Sequence, residues 1–184
     1  MKRNIISITN AWLLLISMAC TVSAIGQQNA TYSSNTSKIL STKKNSEMTS
    51  LTTYLLFNGT CLQAMQFYES CIGGELTFTK VGDSPMKSYF PESMHQKIVN
   101  ARLVGEGIDI SASDWLRPDE TPIKGNTVCL YLRVERPDQL KGIFNKLADG
   151  ADVTDPLLQR PFGLYGALND KFGNRWMFLS DWKE

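Results

Sequence analysis

The chain carries two successions of apolar and polar patterns that predict the same elements in the same order. In the first half, apolar residues at helical spacing follow Thr60 and Gln63, which form a capping box, and Gly73 and Gly74 end the predicted helix. Alternation of apolar and polar residues predicts four strands, over residues 52–58, 75–81, 97–105 and 107–112. This half therefore predicts one βαβββ module.

The second half repeats that order. A strand over residues 126–134 is followed by Pro137, which stands at the first turn of a helix that Gly150 ends. A hairpin of residues 165–169 and 174–180 comes last. The second half therefore predicts another βαβββ module.

Landmark residues of the two halves lie 77 positions apart. The pairs are Tyr54 with Tyr131, Phe67 with Phe144, and Gly73 with Gly150. This repeat indicates two copies of one unit, covering about residues 51–113 and 126–182. In such a pseudo-symmetric domain we expect a shared ligand site between the halves.

The N-terminal part of the chain has a different composition. Two basic residues, an apolar run and a small-residue site ending at Ala24 predict a secretory signal peptide over residues 1–24. Residues 25–50 are polar and lack apolar periodicity, which predicts a flexible tether before a domain of residues 51–184. We therefore expect export to the periplasm or the exterior, with no membrane span in the mature protein.

Two alternatives to this form of export stay open. Cys20 would be the acylated residue of a lipoprotein, although the usual Leu three positions before it is missing. Translation beginning at Met48 would instead give a cytoplasmic domain without a signal.

Composition and charge fit one globular domain. The 184 residues are 42% hydrophobic, with a net charge of +1. The 19 basic residues form no stripe, so we expect no nucleic-acid partner. Cys61 and Cys71 flank one predicted helix and are about 15 Å apart at a rise of ~1.5 Å per residue. That distance is too long for a disulfide.

Several short motifs, in an order that matches the repeat, resemble those of a known superfamily. They are the YLLFNG run at Tyr54, Ala64 with Phe67 and Tyr68, the GGEL run at Gly73, the ARL run at Ala101, the ASD run at Ala112, and the NDKFGNRW run at Asn169. The chain resembles the vicinal oxygen chelate superfamily of glyoxalases, bleomycin-resistance proteins and extradiol dioxygenases. Within it, the chain resembles the PhnB-like branch.

The resemblance implies an α+β fold in which two βαβββ modules form an eight-stranded cup, with helices outside and a ligand within. It also implies a homodimer. Metal-using relatives bind a divalent ion through His or Gln on the first strand of each module and Glu on the last. Through strand alternation and the 77-residue offset, these positions fall on Thr52, Ser111, Cys129 and Met177.

We expect no cofactor, because these four residues include neither an imidazole nor a carboxylate and a hard divalent ion would bind poorly. If the predicted register of this strand is wrong by one residue pair, Asp109 takes the place of Ser111 at the ligand position. Cys129 and Met177 are also a soft thiolate and thioether pair of the kind that suits copper(I), although both residue types serve more often in packing.

Alternation places six further residues in the cup: Tyr54, Asn100, Arg102, Tyr131, Arg133 and Arg175. Guanidinium groups inside a partly apolar cup favour the carboxylate or phosphate of a small ligand. Alternatively, each arginine neutralises Asp109 or reaches the dimer interface.

These observations predict an exported protein that binds a small organic ligand, anionic if the arginines serve it, beside a degenerate metal site. The alternative is a lyase, isomerase or dioxygenase of the same superfamily. It would be metal-dependent, or metal-free with Tyr54, Tyr131 or Cys129 as acid, base or nucleophile. A structural dimerisation module is a third interpretation.

Overall fold

The computed structural model describes residues 51–181. The predicted signal peptide, the polar tether, the lipoprotein cysteine Cys20 and the alternative start at Met48 lie outside the described residues. Within the described range, no helix is long and apolar enough to cross a membrane.

The described residues fold as two successive βαβββ modules, which confirms the predicted α+β architecture. The first module comprises β1 (Thr53–Phe57), α1 (Cys61–Ile72), β2 (Glu75–Lys80), β3 (Ile98–Gly105) and β4 (Ile108–Asp114). The second comprises β5 (Leu130–Arg133), α2 (Pro137–Leu147), β6 (Asp152–Arg160), β7 (Gly163–Asn169) and β8 (Arg175–Ser180).

Each module forms one four-stranded mixed sheet. The strand orders are β1-β4-β3-β2 and β5-β8-β7-β6, and in each sheet the module's first and last strands run parallel. Tyr54 lies opposite Ser111 in the first sheet, and Tyr131 lies opposite Met177 in the second. Because Tyr54 and Tyr131 are a repeat pair, Ser111 and Met177 occupy equivalent places in the two modules.

Both helices bury one apolar face against the sheets, because their apolar residues recur every three to four positions. In α1 the buried residues are Cys61, Ala64, Met65, Tyr68 and Cys71. In α2 they are Leu140, Phe144 and Leu147. These residues share a single core with one face of each sheet, including Trp176 and Phe178 of β8.

The predicted capping box at the start of α1 is wrong. The Thr60 side chain makes no capping hydrogen bond. Instead Asp114, at the end of β4, accepts a hydrogen bond from the Cys61 backbone N–H (3.0 Å) and a second from that of Ile98 (2.8 Å). A carboxylate is a stronger acceptor than a hydroxyl and is favoured at a helix N-terminus. The sheet supplies the cap because β4 ends where α1 begins.

The predicted strand over residues 126–134 is shorter in the structure, where β5 covers Leu130–Arg133. Its partner β8 begins only at Arg175, and Leu130 pairs with Trp176. Residues 126–128 therefore have no β8 residue to pair with. Val128, in this stretch before β5, is 82% exposed.

A buried carboxylate, Asp170, joins the two modules. It accepts hydrogen bonds from the hydroxyl of Tyr68 on α1 (2.6 Å) and from the indole N–H of Trp176 (2.9 Å). Its other oxygen accepts the backbone N–H groups of Phe172 and Asn174. Burial, and then the adjacent Asp170 carboxylate, raise the pKa of Tyr68 far above its ordinary value. The hydroxyl therefore stays protonated and donates to Asp170.

Candidate functional site

The face of the second sheet that lies opposite the core contains an open hollow of about 510 Å³, called the first hollow below. It is lined by Cys129, Tyr131, Phe162, Tyr165, Met177 and Leu179. Alternation along β8 explains this wall, because Trp176 and Phe178 are buried in the core and Met177 and Leu179 face the opposite way.

The walls of the first hollow are aromatic, aliphatic and sulfur-containing. The rings of Phe162 and Tyr165 lie edge to face, with centroids 5.7 Å apart and planes at 70°. Aromatic rings offer flat apolar surface with a polar hydroxyl only at the tip of each tyrosine. Such a surface suits a planar, largely apolar ligand.

Cys129 lies at the edge of this hollow, and its thiol donates a hydrogen bond to the Met177 sulfur at 3.3 Å. The three described cysteines are all free, which agrees with the absence of a Cys61–Cys71 disulfide expected from the sequence. Burial, and then the nearby Asp114 carboxylate, raise the pKa of Cys61 to about 12. Burial also raises the pKa of Cys71. Cys129 is half-buried and is the most accessible thiol of the three.

A second hollow of about 220 Å³, called the second hollow below, lies where the first strands of the two modules approach each other. Its lining includes Tyr54 of β1, Cys129 before β5, Arg175 of β8 and Lys124. Cys129 lines both hollows, so the two adjoin there. The second hollow adds cationic groups to the apolar first hollow.

Arg175 is the arginine best placed to meet an anion. It is half-buried, and no carboxylate of residues 51–181 forms an ion pair with it. Lys124 already donates a hydrogen bond to the backbone carbonyl of Phe172 in the β7–β8 turn. The guanidinium of Arg175 is therefore the freer of the two cations.

Comparisons with known proteins support the two-module fold. No family model matches the chain. The chain is 31% identical to the protein PA1353 from Pseudomonas aeruginosa, covering 98% of that structure and 73% of this chain with a TM-score of 0.66. The chain belongs to the vicinal oxygen chelate superfamily.

Two further proteins are similar to this vicinal oxygen chelate protein. The solved structure described as "Putative 3-demethylubiquinone-9 3-methyltransferase, PhnB protein", from Bacillus cereus, shares the fold, with 24% identity and a TM-score of 0.58, over 99% of that chain and 72% of this one. Protein YjdN from Escherichia coli K12 is 28% identical over an alignment of 141 positions, which covers 92% of YjdN and 69% of this chain.

The metal positions implied by the superfamily do not fit a hard divalent ion in this chain. Thr52, Ser111, Cys129 and Met177 offer hydroxyl, thiol and thioether groups in place of imidazole and carboxylate. Across residues 51–181, no three His, Cys, Asp or Glu side chains gather closely enough to hold a metal ion. We therefore derive no chemistry from a divalent metal at these positions.

The structure brings together five of the ten site residues predicted from the sequence. Cys129, Tyr131 and Met177 line the first hollow, and Tyr54, Cys129 and Arg175 line the second. The other five line neither hollow: Thr52, Asn100, Arg102, Ser111 and Arg133.

Two of the predicted arginines are paired with carboxylates. Arg102 donates two hydrogen bonds to Asp109, at 2.9 and 2.8 Å, and these bonds lower the pKa of Asp109 and raise that of Arg102. Arg133 forms an ion pair with Asp181. For these two arginines the structure supports the alternative that each neutralises a carboxylate. The carboxylate is Asp109 for Arg102 and Asp181 for Arg133.

Sequence reasoning missed Phe162, Tyr165 and Leu179 in the first hollow. Leu179 continues the alternation of Arg175 and Met177 along β8, and Tyr165 lies opposite Leu179 in the β7–β8 ladder. Those two residues were accessible to the same argument that found Met177. Phe162 lies between β6 and β7, and β6 carries too weak a pattern to locate that connection.

Proposed function

We propose that this protein binds a small organic molecule with a planar apolar body and an anionic end. The body would occupy the first hollow, and the anionic end would lie near Arg175 in the second. The observation that supports this most is that the two hollows adjoin at Cys129, so one molecule can contact both an aromatic wall and a free guanidinium.

The polarity of the two hollows supports an amphipathic ligand over a uniformly polar one. A hydrogen bond between Arg175 and a carboxylate is charge-assisted and is worth roughly 1.5–3 kcal/mol. Tyr131 and Phe162 are more than half exposed, at 52% and 60%, so an apolar ligand would remove substantial apolar surface from water. Both contributions favour the same molecule.

Catalysis by this superfamily's metal-dependent route has less support, because the donor set suits no hard divalent ion. A metal-free enzyme would need an activated acid, base or nucleophile. Among the described residues, Tyr54 and Tyr131 have no hydrogen-bonded base, and the Cys129 thiol donates to a thioether. Binding without chemistry, beside a degenerate metal site, is the function that we propose.

Our proposal includes export and a homodimer. Leu56 and Val104 are exposed on one face of the first sheet, each at 44%, and a second copy would cover them. Light scattering of the purified protein tests for the dimer. Mass spectrometry of the mature N-terminus tests for cleavage after Ala24, acylation at Cys20 or a start at Met48.

The ligand proposal is tested with a matched pair of probes, 2-naphthoate and 2-naphthamide. We expect naphthoate to raise the melting temperature more than the amide, because binding to the native state stabilises it. Arg175→Gln should remove the advantage of the carboxylate and leave amide binding unchanged. Leu179→Glu, on the wall of the first hollow, should weaken both probes.

Arg102→Gln is the matched control, because Arg102 is paired with Asp109 and lines neither hollow. It should leave both probes unaffected. Equal binding of both probes to wild type and Arg175→Gln would refute the anionic end. Unchanged binding of both probes to Leu179→Glu would refute the placement of the ligand in the first hollow.

A further inference from the structure

The Cys129 and Met177 sulfur atoms form a pair that the proposed function does not use. They are 48 positions apart in the sequence, yet their separation is 3.3 Å. The parallel β5–β8 ladder brings them together, because Leu130, directly after Cys129, pairs with Trp176, directly before Met177. Both sulfurs line the first hollow and can be reached from it.

The geometry points to a binding site for a soft monovalent metal ion, copper(I) or silver(I), between the sulfurs of Cys129 and Met177. Because the Met177 side chain is flexible, its sulfur can turn away from Cys129 and admit an ion between the two, at about 2.3 Å from each, the usual metal–thiolate distance for zinc. As the metal–sulfur bond forms, the Cys129 thiol releases its proton to solvent, and Met177 donates a lone pair. No oxidation or reduction occurs.

The surroundings select a soft ion over a hard one. Thiolate and thioether ligands favour copper(I), whereas magnesium, calcium and manganese require several oxygen ligands. The rest of the wall consists of Tyr131, Phe162, Tyr165 and Leu179, which supply no carboxylate or imidazole. A two-coordinate ion needs no further protein ligand here.

The other described thiols do not compete for the ion. Cys61 and Cys71 are buried, and burial raises the pKa of each. Deprotonation, which metal binding requires, is therefore disfavoured at both. The site shares the wall of the first hollow, but it does not rest on the proposed function, because the metal alone is its probe.

Calorimetric titration of the reduced full chain with silver nitrate, in chloride-free buffer, tests this site. All variants carry Cys20→Ser, so that this cysteine, which lies outside the described residues, does not bind silver. We expect one silver ion per chain. Cys129→Ser should abolish this binding, and Met177→Leu should weaken it at least tenfold. Met86→Leu, which removes a partly exposed thioether outside both hollows, should leave the affinity unchanged.

Unchanged affinity in Cys129→Ser would overturn the site, and unchanged affinity in Met177→Leu would remove the thioether from it. X-ray absorption of the copper(I)-loaded protein gives a test that does not depend on how the variants fold. We expect two sulfur atoms in the first coordination sphere. A single sulfur, or a sphere of oxygen and nitrogen, would overturn the assignment.

Discussion

The Tyr68 hydroxyl provides a quantitative test of how the two modules are joined. Its ring is fully buried, its O–H donates to Asp170 at 2.6 Å, and it accepts the side-chain N–H of Asn174 at 2.7 Å. Tyr68→Phe keeps the ring and removes both bonds. Hydrogen bonds to charged groups contribute about 1.5–3 kcal/mol, and a buried carboxylate that loses a donor is costly. We therefore expect a loss of about 2 kcal/mol.

Urea unfolding followed by tryptophan fluorescence measures this loss, because Trp176 is buried 5.3 Å from the Tyr68 ring. With an m-value of about 2 kcal/mol/M, the midpoint should fall by about 1 M at unchanged m. The melting temperature should fall by about 8 °C, at roughly 4 °C per kcal/mol for a domain of this size.

Tyr89→Phe is the matched control, because that side chain is 77% exposed and the same change should alter stability by less than about 0.5 kcal/mol. A double-mutant cycle with Asp170→Asn should give a coupling energy of about 1–2 kcal/mol. A midpoint shift in Tyr68→Phe no larger than in Tyr89→Phe would refute the reasoning, since the network would then contribute nothing to stability.

Three further predictions concern pH, thiol reactivity and backbone conformation. Unfolded Tyr68 ionises near pH 10.0, whereas folded Tyr68 stays protonated, so its contribution to the free energy of unfolding is complete below that pH and is lost above it. In urea titrations, the difference in stability between the wild type and Tyr68→Phe should therefore narrow above pH 10. A difference that stays constant with pH would contradict the pKa shift. Iodoacetamide at pH 8 should label Cys129 in the native protein and should label Cys61 only after unfolding, as measured by mass spectrometry of the peptides. Labelling of Cys61 in the native protein would contradict its burial. Gly163→Ala should destabilise the fold by roughly 1–3 kcal/mol, because φ is 134° and the new Cβ would lie 2.4 Å from a β8 carbonyl oxygen. Gly142→Ala, on an open face of α2, should instead stabilise the fold by up to about 1 kcal/mol. Equal calorimetric melting temperatures of the two variants would refute this contrast.

The repeat could be predicted from the sequence because it consists of local patterns. Tyr54 and Tyr131 stand at one offset, and the structure pairs them with Ser111 and Met177 in the same register. Alternation also placed Met177 on the face of β8 that lies opposite the buried residues, as the structure has it. Patterns of period two and period 3.6 specify which face of a strand or helix is buried, and they can be read without knowing which elements are its neighbours.

Long-range partners could not be read from the same patterns. Asp114 caps α1 from the end of a strand 53 positions away, and no local motif signals this. Strand β6 carries Pro156 and two register shifts, which its place at the edge of the second sheet allows and which obscure any alternation. The ion pair of Arg133 with Asp181 likewise depends on the β5–β8 pairing.

The two modules have kept their register and diverged in chemistry. The equivalent positions Ser111 and Met177 carry a hydroxyl and a thioether. The face of the first sheet opposite the core carries Arg102 and Asp109 paired with each other, whereas the equivalent face of the second sheet forms the first hollow. We therefore propose that the ligand lies in the second module.

Methyl NMR of methionine in the protein, titrated with 2-naphthoate, tests the location of the ligand most directly. Met177 lines the first hollow, and Met86 lines neither hollow. We predict that the Met177 methyl signal shifts with saturation as naphthoate binds, whereas the Met86 signal stays in place. Saturable binding by calorimetry with an unmoved Met177 signal would contradict the proposal that the ligand occupies the first hollow.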